Sequence, residues 1–417
     1  MFTCTQELRD YMEKGIRHAA MAFGRRSAGS RGEAACQAYF RDELSEYADR
    51  VEMDEFTLHP KAFLGWLVIA GIFDLLSVAL YWGRGLTNSI AVPILAAVLI
   101  CCSFFMDLLE FVLYRRFVDK LFPSAVSHNV FACRAAADKP QRRIVFCGHA
   151  DAAYEMTFAR HGGKKTLGPV LIGSSLGMLY MMALNITVLV RTLIAGPVPL
   201  QGMWGALGIV GLLFLPFFAG ILVFVNWRRV VDGANDNLTG CYTAMGVLRL
   251  MAKEDIRFEN TEVCCLITGA EEAGLRGALS FARERKAELS EMETVFIALD
   301  TMREMNQLMV YTRGQNGMQA NSAKVGNLLA RAAQNLGHPF KKAGFFLGAT
   351  DAEALSRYGL QACAFCGVNH DPQPYYHTRE DNADNLDMDC VSLSLHICME
   401  AARLYDEAGG IHSFAKV

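Results

Sequence analysis

Four apolar runs, set out as two close pairs, limit what this chain can fold into more than any other feature. They cover residues 63–82, 87–106, 167–190 and 202–227, each near the ~20 residues that a helix needs to cross a bilayer. Only "GRGL" parts the first two, and a short segment with Pro197 and Pro199 parts the last two. Each pair reads as a helical hairpin. The pairing, and the Trp residues at the edges, argue against core helices of a water-soluble protein. A hairpin returns the chain to the side it left, so residues 1–61, 115–166 and 228–417 share one face. The hairpins, 62–114 and 167–227, then interrupt a single soluble body.

Composition agrees with a mixed molecule. The 417 residues are 52% hydrophobic with a mean hydropathy of +0.20, high for a soluble enzyme and low for a protein made of spans. A net charge of −3 argues against nucleic acid, which favours a basic face. On the shared side lie Lys61, Arg115, Arg116, Lys120, Arg160, Lys164, Lys165, Arg228 and Arg229, while the hairpin tips offer Arg84 and Arg191. Positive residues favour the cytoplasm, so the body is expected there. The start, "MFTCTQELRDYMEKG", lacks the basic-then-apolar order of a signal peptide. The thirteen cysteines sit mostly in apolar runs, some adjacent, and read as reduced, packed thiols rather than a disulfide framework. Cys363 and Cys366 have redox-motif spacing, but the run "LQACAFCGV" reads as a packed strand. Asp74, inside the first run, is costly in lipid and should face water or bond to the neighbouring hairpin.

The soluble pieces read as one α/β domain. "RRIVFCGHAD", "TEVCCLITGAEEAG", "METVFIALDTM" and "GLQACAFCGVNHD" are each an apolar, β-rich run that ends in polar residues. Helix-like segments, such as 240–253 and 321–336, lie between them. This alternation predicts a mostly parallel sheet covered on both faces, with ligands beyond the carboxyl ends of its strands.

The polar groups at those ends are metal-capable: His149 and Asp151 in "GHAD", Asp236 in "GANDN", Glu271 and Glu272 in "GAEEAG", Asp300 in "ALDT" and His377 in "YYHT". Two histidines among carboxylates suit a divalent cation, chiefly zinc. One carboxylate can bridge two ions. Asp151 is placed to take the second N–H of the His149 imidazole. The adjacent Glu271 and Glu272 diverge, so one can bind metal while the other moves protons. Each piece alone is weak; the ordered set, every acid just after a β-like run, is what makes coincidence improbable. It also places site chemistry only a few residues beyond an apolar run, in "FVNWRRVVDGANDNLTG".

In this order, "HAD", "GANDNLTG", "EEAGLRG", "LDT" and "YHT" resemble the motifs of the dizinc aminopeptidases related to aminopeptidase Y, leucyl aminopeptidases and glutamate carboxypeptidase. "GRRSAGSRGE" and "VEMDEFTLHP" look like that domain's lead-in helix and first strand. The resemblance covers all three soluble pieces, with the hairpins as insertions. It implies the zinc-peptidase fold and two zinc ions, one held by His149, Asp236 and Asp300, the other by Asp236, Glu272 and His377. It implies Glu271 as general base, Tyr376 as a group that polarises the scissile carbonyl (or else a packed aromatic), and peptides as substrates. Ala352 stands where many members carry histidine, which leaves Asp351 as a substrate-pocket residue only. Thr301 and Met302 are expected to line the site.

The expected function is a membrane-anchored zinc exopeptidase, most readily an aminopeptidase. The second hairpin falls between His149 and Asp236, so the site mouth is expected near the bilayer, with membrane-associated peptides as substrates. The alternatives weighed are a related zinc carboxypeptidase or deacylase, a single-zinc glutaminyl cyclase, an inactive membrane scaffold, and a transporter with a regulatory domain. The complete set of ligands and base disfavours the cyclase and the scaffold. The stretch from Asp300 to His377 is short for the lid domain of the deacylase relatives. One intramembrane acid gives a transporter little support.

Overall fold

The computed structural model describes residues 5–87, 89–345, 348–368 and 374–415. The chain divides into two compact units, one made of Met1–Pro60, Ser124–Tyr154 and Arg228–Val417, the other of Lys61–Pro123 and Glu155–Trp227. The second unit therefore also takes in 115–123 and 155–166, beyond the apolar runs themselves.

The first unit is an α/β domain on a nine-stranded sheet. Its strands are β1 Arg50–Leu58, β2 Ala125–Arg134, β3 Arg142–His149, β6 Thr261–Thr268, β7 Glu293–Met302, β8 Leu308–Gly314, β9 Gln319–Ala320, β10 Lys342–Gly344 and β11 Gln361–Gly367, while β4 Tyr154–Met156 and β5 Val225–Val230 form a separate two-stranded ribbon. The main order is β1-β2-β6-β3-β7-β11-β8-β10, with β9 beside β8. The four central strands β6, β3, β7 and β11 run parallel. The flanks are mixed: β1–β2, β2–β6, β11–β8 and β8–β9 pair antiparallel. Every residue of β3 and β6 is buried, which is why these strands are near-continuous apolar runs. Of the run "GLQACAFCGVNHD", residues 369–371 lie outside the described residues.

The covering helices are amphipathic or wholly buried. Thr239–Lys253, Ala323–Asn335 and Met388–Glu407 contribute Tyr242, Leu248, Leu329, Leu395 and Met399 to one core together with Phe146 of β3 and Ile297 of β7. The lead-in helix is Arg31–Leu44, started by the Ser30 hydroxyl, which accepts from the Glu33 N–H, as an N-cap serine does. Strand β3 lies flush on helix Thr239–Lys253: a Cβ added at Gly148 would stand 2.6 Å from the backbone N of Cys241. Gly148→Ala is therefore expected to cost about 1–3 kcal/mol by overpacking, read as a lower midpoint in denaturant unfolding. An unchanged midpoint would mean that the helix can retreat from the strand.

The cysteine expectation needs correction at one pair. Cys133 and Cys264 are direct partners in the β2–β6 register and are joined as a disulfide. Their sequence separation of 131 hides a neighbourhood that only the strand pairing creates. The other ten described cysteines are free, Cys363 and Cys366 among them, both buried in β11.

The second unit is helical. Among the described residues, four helices are long and apolar enough to cross a membrane: Ala62–Leu86, Ala91–Val112, Lys164–Ala195 and Met203–Leu222. The last ends sooner than the apolar run does, because residues from Val225 onward enter β5. It also breaks at Leu213–Phe214, just before Pro216, where proline's missing N–H does no harm. Small residues let the helices close on aromatic rings: Cβ positions at Gly173, Gly177 and Gly208 would meet Phe217, Phe214 and Tyr81, the packing found where apolar helices associate in lipid. Ile172, Leu176, Leu193, Ile209 and Leu213 face outward. Polar ties between the hairpins include Asn185 donating to Ser77 at 2.8 Å and the Tyr81 hydroxyl donating to Trp204 O at 2.5 Å. Asp74 is buried; its Oδ1 makes no hydrogen bond, and its carboxyl pairs with Ser103 of its own hairpin rather than with the neighbouring one.

Candidate metal centre

The carboxyl ends of the four parallel strands bring the predicted residues together. His149 is the last residue of β3, and Asp300 lies near the end of β7. Glu271 and Glu272 follow β6, and His377 follows β11. Asp236 sits in the turn Ala234–Leu238, where its φ of −111° and ψ of 88° leave helical geometry. The Asn237 side chain fixes this turn, donating to Leu299 O at 2.8 Å and accepting from Gly240 and Thr301 N–H.

Asp236 presents its two oxygens to two different imidazoles. Oδ1 lies 3.2 Å from His149 Nε2 and Oδ2 lies 3.2 Å from His377 Nε2. His377 Nε2 is also 3.2 Å from Glu272 Oε1. Glu271 Oε2 stands 3.8 Å from His149 Nε2. Ligand atoms of His149, Asp236 and Glu272 lie within 4.8 Å of one another, as do those of His149, Glu271 and Asp300. Asp300 therefore groups with Glu271 as well as with His149, a neighbour the motif order did not foretell.

These residues fit a cation. His149 Nε2 and Glu272 Oε1 are buried and make no hydrogen bond, although each has a polar atom at 3.2 Å. They face those atoms at contact distance without hydrogen-bond alignment, as ligand atoms do around a shared ion. Charge argues the same way. Burial, followed by the Asp236 carboxylate, pushes Asp300 up to about 7. Burial also raises Glu271 well above the usual carboxylate range, with Glu272, Asp351 and Asp300 adding to the effect of burial against the pull of His149. For Asp236 burial pushes up, but the two imidazoles outweigh it and hold the acid low. Crowded, buried carboxylates of this kind are stabilised by positive charge.

Asp151 lies at the His149 imidazole and has further partners. The closest contact of His149 Nδ1 is the Asp151 backbone carbonyl at 3.2 Å, with the carboxylate Oδ1 at 3.4 Å. The carboxylate also accepts the N–H groups of Glu271 and Glu272, each at 3.0 Å. It thus holds the backbone of both acids. Tyr376 stacks on the His377 ring, centroids 4.2 Å apart. Burial, then the charges of Asp236 and Glu272, raise its phenol well above 10, which places it beside the acids. Asp351 is 4% exposed and accepts from the Thr268 hydroxyl at 2.5 Å. Met302 is fully buried and packs in the main core, so it does not line the site, whereas Thr301 donates to Asp300 Oδ1 at 2.9 Å.

One residue at the centre was not foreseen. Asp381 is fully buried and accepts from Asn235 N–H at 2.7 Å, Asn235 Nδ2 at 2.9 Å and Asp236 N–H at 3.2 Å. It buttresses the turn that aims Asp236. Its only signal in the sequence is an acid four positions after His377 in "HTRED", inside a stretch rich in acids.

The sequence profile of Peptidase family M28 matches residues 223–402. Over that stretch the chain is similar to the M28 peptidases. Its fold is that of solved relatives of low identity. An aminopeptidase from Aneurinibacillus sp. strain AM-1 is 15% identical, covers 95% of this chain and 93% of its own, and superposes with a TM-score of 0.54. A leucine aminopeptidase precursor from Bacteroides thetaiotaomicron is 12% identical, with coverage of 96% and 98% and a TM-score of 0.55. A glutaminyl cyclase from Fimbriiglobus ruber is 13% identical, covering 95% of each chain, also with a TM-score of 0.55. No curated protein matches the chain. At such identities the likeness shows the fold alone, and both enzyme types share it.

Proposed function

We propose that the protein is a membrane-anchored, zinc-dependent exopeptidase of the aminopeptidase type. The observation that carries this reading is the pair of 3.2 Å contacts from the two Asp236 oxygens to two different imidazoles, the arrangement of a carboxylate that bridges two ions. His149 and Asp300 would complete one zinc site, and Glu272 and His377 the other. Zinc bound there would supply Lewis acidity, lowering the pKa of a water and polarising the scissile carbonyl.

The chain's own residues do the rest. Glu271, its backbone fixed by Asp151, takes the proton from the attacking water and passes it to the leaving amine. Tyr376, stacked on His377, donates its phenol proton in a hydrogen bond to the carbonyl oxygen as negative charge develops there. The same acids would serve a cyclase that closes N-terminal glutamine. A bridging carboxylate between two imidazoles favours two ions and hydrolysis. The test is a panel of peptides with free or blocked N-termini, including one that begins with glutamine, given to the zinc-loaded protein. Release of the first residue from free peptides alone, stopped by a chelator, is the expected result. Pyroglutamyl product without release would move the reading to cyclisation, and cleavage of blocked peptides would exclude an aminopeptidase.

The four long apolar helices support an integral membrane protein, with the soluble body on the cytoplasmic side. The cysteine pattern no longer adds to that orientation once Cys133 and Cys264 are joined, so the flanking charges carry it. In sealed vesicles of known orientation, a tag after Val417 should be shielded from protease when the cytoplasmic face is inside. Cleavage of the tag there would reverse the orientation.

A further inference from the structure

The N-terminal stretch "RSAGSRGE", from Arg26 to Glu33, holds none of the candidate zinc ligands, yet it touches the loops that carry His149, Asp236, Glu271 and Glu272. We infer that Arg26 and Glu33 are positioning residues of the metal centre, a clamp that fixes the spacing of its loops.

Arg26 is fully buried. A buried guanidinium is costly unless its donors are met, and here backbone carbonyls meet them. Nε donates to Ala150 O at 2.9 Å, Nη2 to Gly233 O at 3.2 Å and Nη1 to Ala19 O at 3.3 Å. Ala150 lies between His149 and Asp151, and Gly233 opens the turn that presents Asp236. One rigid, planar fork thus spans the loops of a histidine and of the acid it faces. The Arg26 carbonyl adds a third tie, accepting from Ala152 N–H at 3.0 Å. Gly233 has a φ of +59°, and a Cβ there would come 3.0 Å from Arg26 Nη2, so the close approach needs glycine.

Glu33 reaches the third loop. It is fully buried in helix Arg31–Leu44. Oε2 accepts from Gly29 N–H at 2.7 Å and Oε1 from Ala270 N–H at 2.8 Å. The next two N–H groups, of Glu271 and Glu272, go to Asp151 at 3.0 Å each. Three successive N–H groups are therefore gripped by two carboxylates, and the first of them belongs to a residue with φ of +53°. A left-handed residue followed by N–H groups turned toward anions makes such a grip natural. Both Glu33 oxygens are acceptors of backbone N–H. An amide in its place must turn an NH2 toward Gly29 N–H or Ala270 N–H, so the tie from the lead-in stretch to the peptide before Glu271 is broken at one end or the other. Arg26 and Glu33 act through other residues, so neither is catalytic.

The inference rests on the zinc centre proposed above, and its test has an arm that needs no turnover. Full-length Arg26→Lys and Glu33→Gln would be purified in detergent, stripped with chelator, and titrated with zinc against a chromophoric chelator. Unfolding of the stripped proteins and kcat and KM on an unblocked aminoacyl anilide would be measured alongside. Lysine keeps the charge but has no planar fork, so Arg26→Lys should bind zinc roughly 10–100-fold more weakly, the usual effect of losing an outer partner of a metal site. Glu33→Gln should keep its zinc affinity while kcat falls roughly 10–100-fold at constant KM. Wild-type zinc affinity in folded Arg26→Lys, or wild-type kcat in folded Glu33→Gln, would overturn the clamp. Losses that follow only the fraction unfolded would also overturn it, since they assign the pair to general stability. Should the zinc-loaded parent fail to cleave the anilide, the peptidase reading fails, and the zinc affinity of Arg26→Lys still decides the clamp.

Discussion

Glu271→Gln should retain its zinc and lose turnover by about 10²–10⁴-fold, the range for removing a general base. The amide keeps the shape of the side chain and its packing, and the backbone N–H stays bound to Asp151. What it loses is the ability to accept a proton. The environment is suited to that task. Glu271 is 9% exposed, close enough to its neighbours to feel four charged groups, and burial raises its proton affinity first. A carboxylate in this position can draw a proton from water and later return it to an amine. The measurement is zinc per chain together with kcat on the same preparation. Loss of zinc along with rate would instead make Glu271 a ligand, an outcome given point by its grouping with His149 and Asp300. Full rate with full zinc would remove it from the mechanism.

The parts of this molecule that were legible in its sequence share one property: their side chains answer to a single, local environment. Strands β3, β6, β7 and β11 are buried along nearly their whole length, so their apolar runs mark them, and the first polar residue after each marks the sheet edge. The four apolar helices announce themselves by length. The candidate ligands follow from these two facts, because in a parallel sheet the strand ends converge. Illegible features depend on which segments become neighbours. The mixed directions at the flanks of the sheet follow from connections, not from the composition of β1, β8 or β10. The Cys133–Cys264 pair exists only in the β2–β6 register. The turn into β5 cut short an apolar run whose Phe224 and Val225 read the same in a helix or a strand. Arg26, Glu33 and Asp381 bond mainly to backbone atoms, and a backbone partner leaves no trace in residue identity.

That last point bears on Asp236, whose substitution should have the broadest effect. Asp236→Ala is expected to release both zinc ions and to lower turnover by more than the ~10²-fold that loss of an outer partner of a metal site can cost. The acid is held ionised by His149 and His377 despite its burial, so it supplies one full negative charge between two would-be ion sites. Alanine removes the charge and both 3.2 Å contacts. The turn itself should persist, because its anchors are the backbone N–H groups of Asn235 and Asp236 on Asp381 and the Asn237 amide on Leu299, none of which uses the deleted group. Asp236→Asn separates the two ion sites: its one remaining oxygen can serve one imidazole's ion, while the amide NH2 faces the other. Metal analysis should then find close to one zinc where the parent holds two, with Glu271 still in place beside His149. Two zinc ions retained in Asp236→Asn would show that the carboxylate does not bridge, and a parent that holds a single ion would turn the site toward single-zinc chemistry.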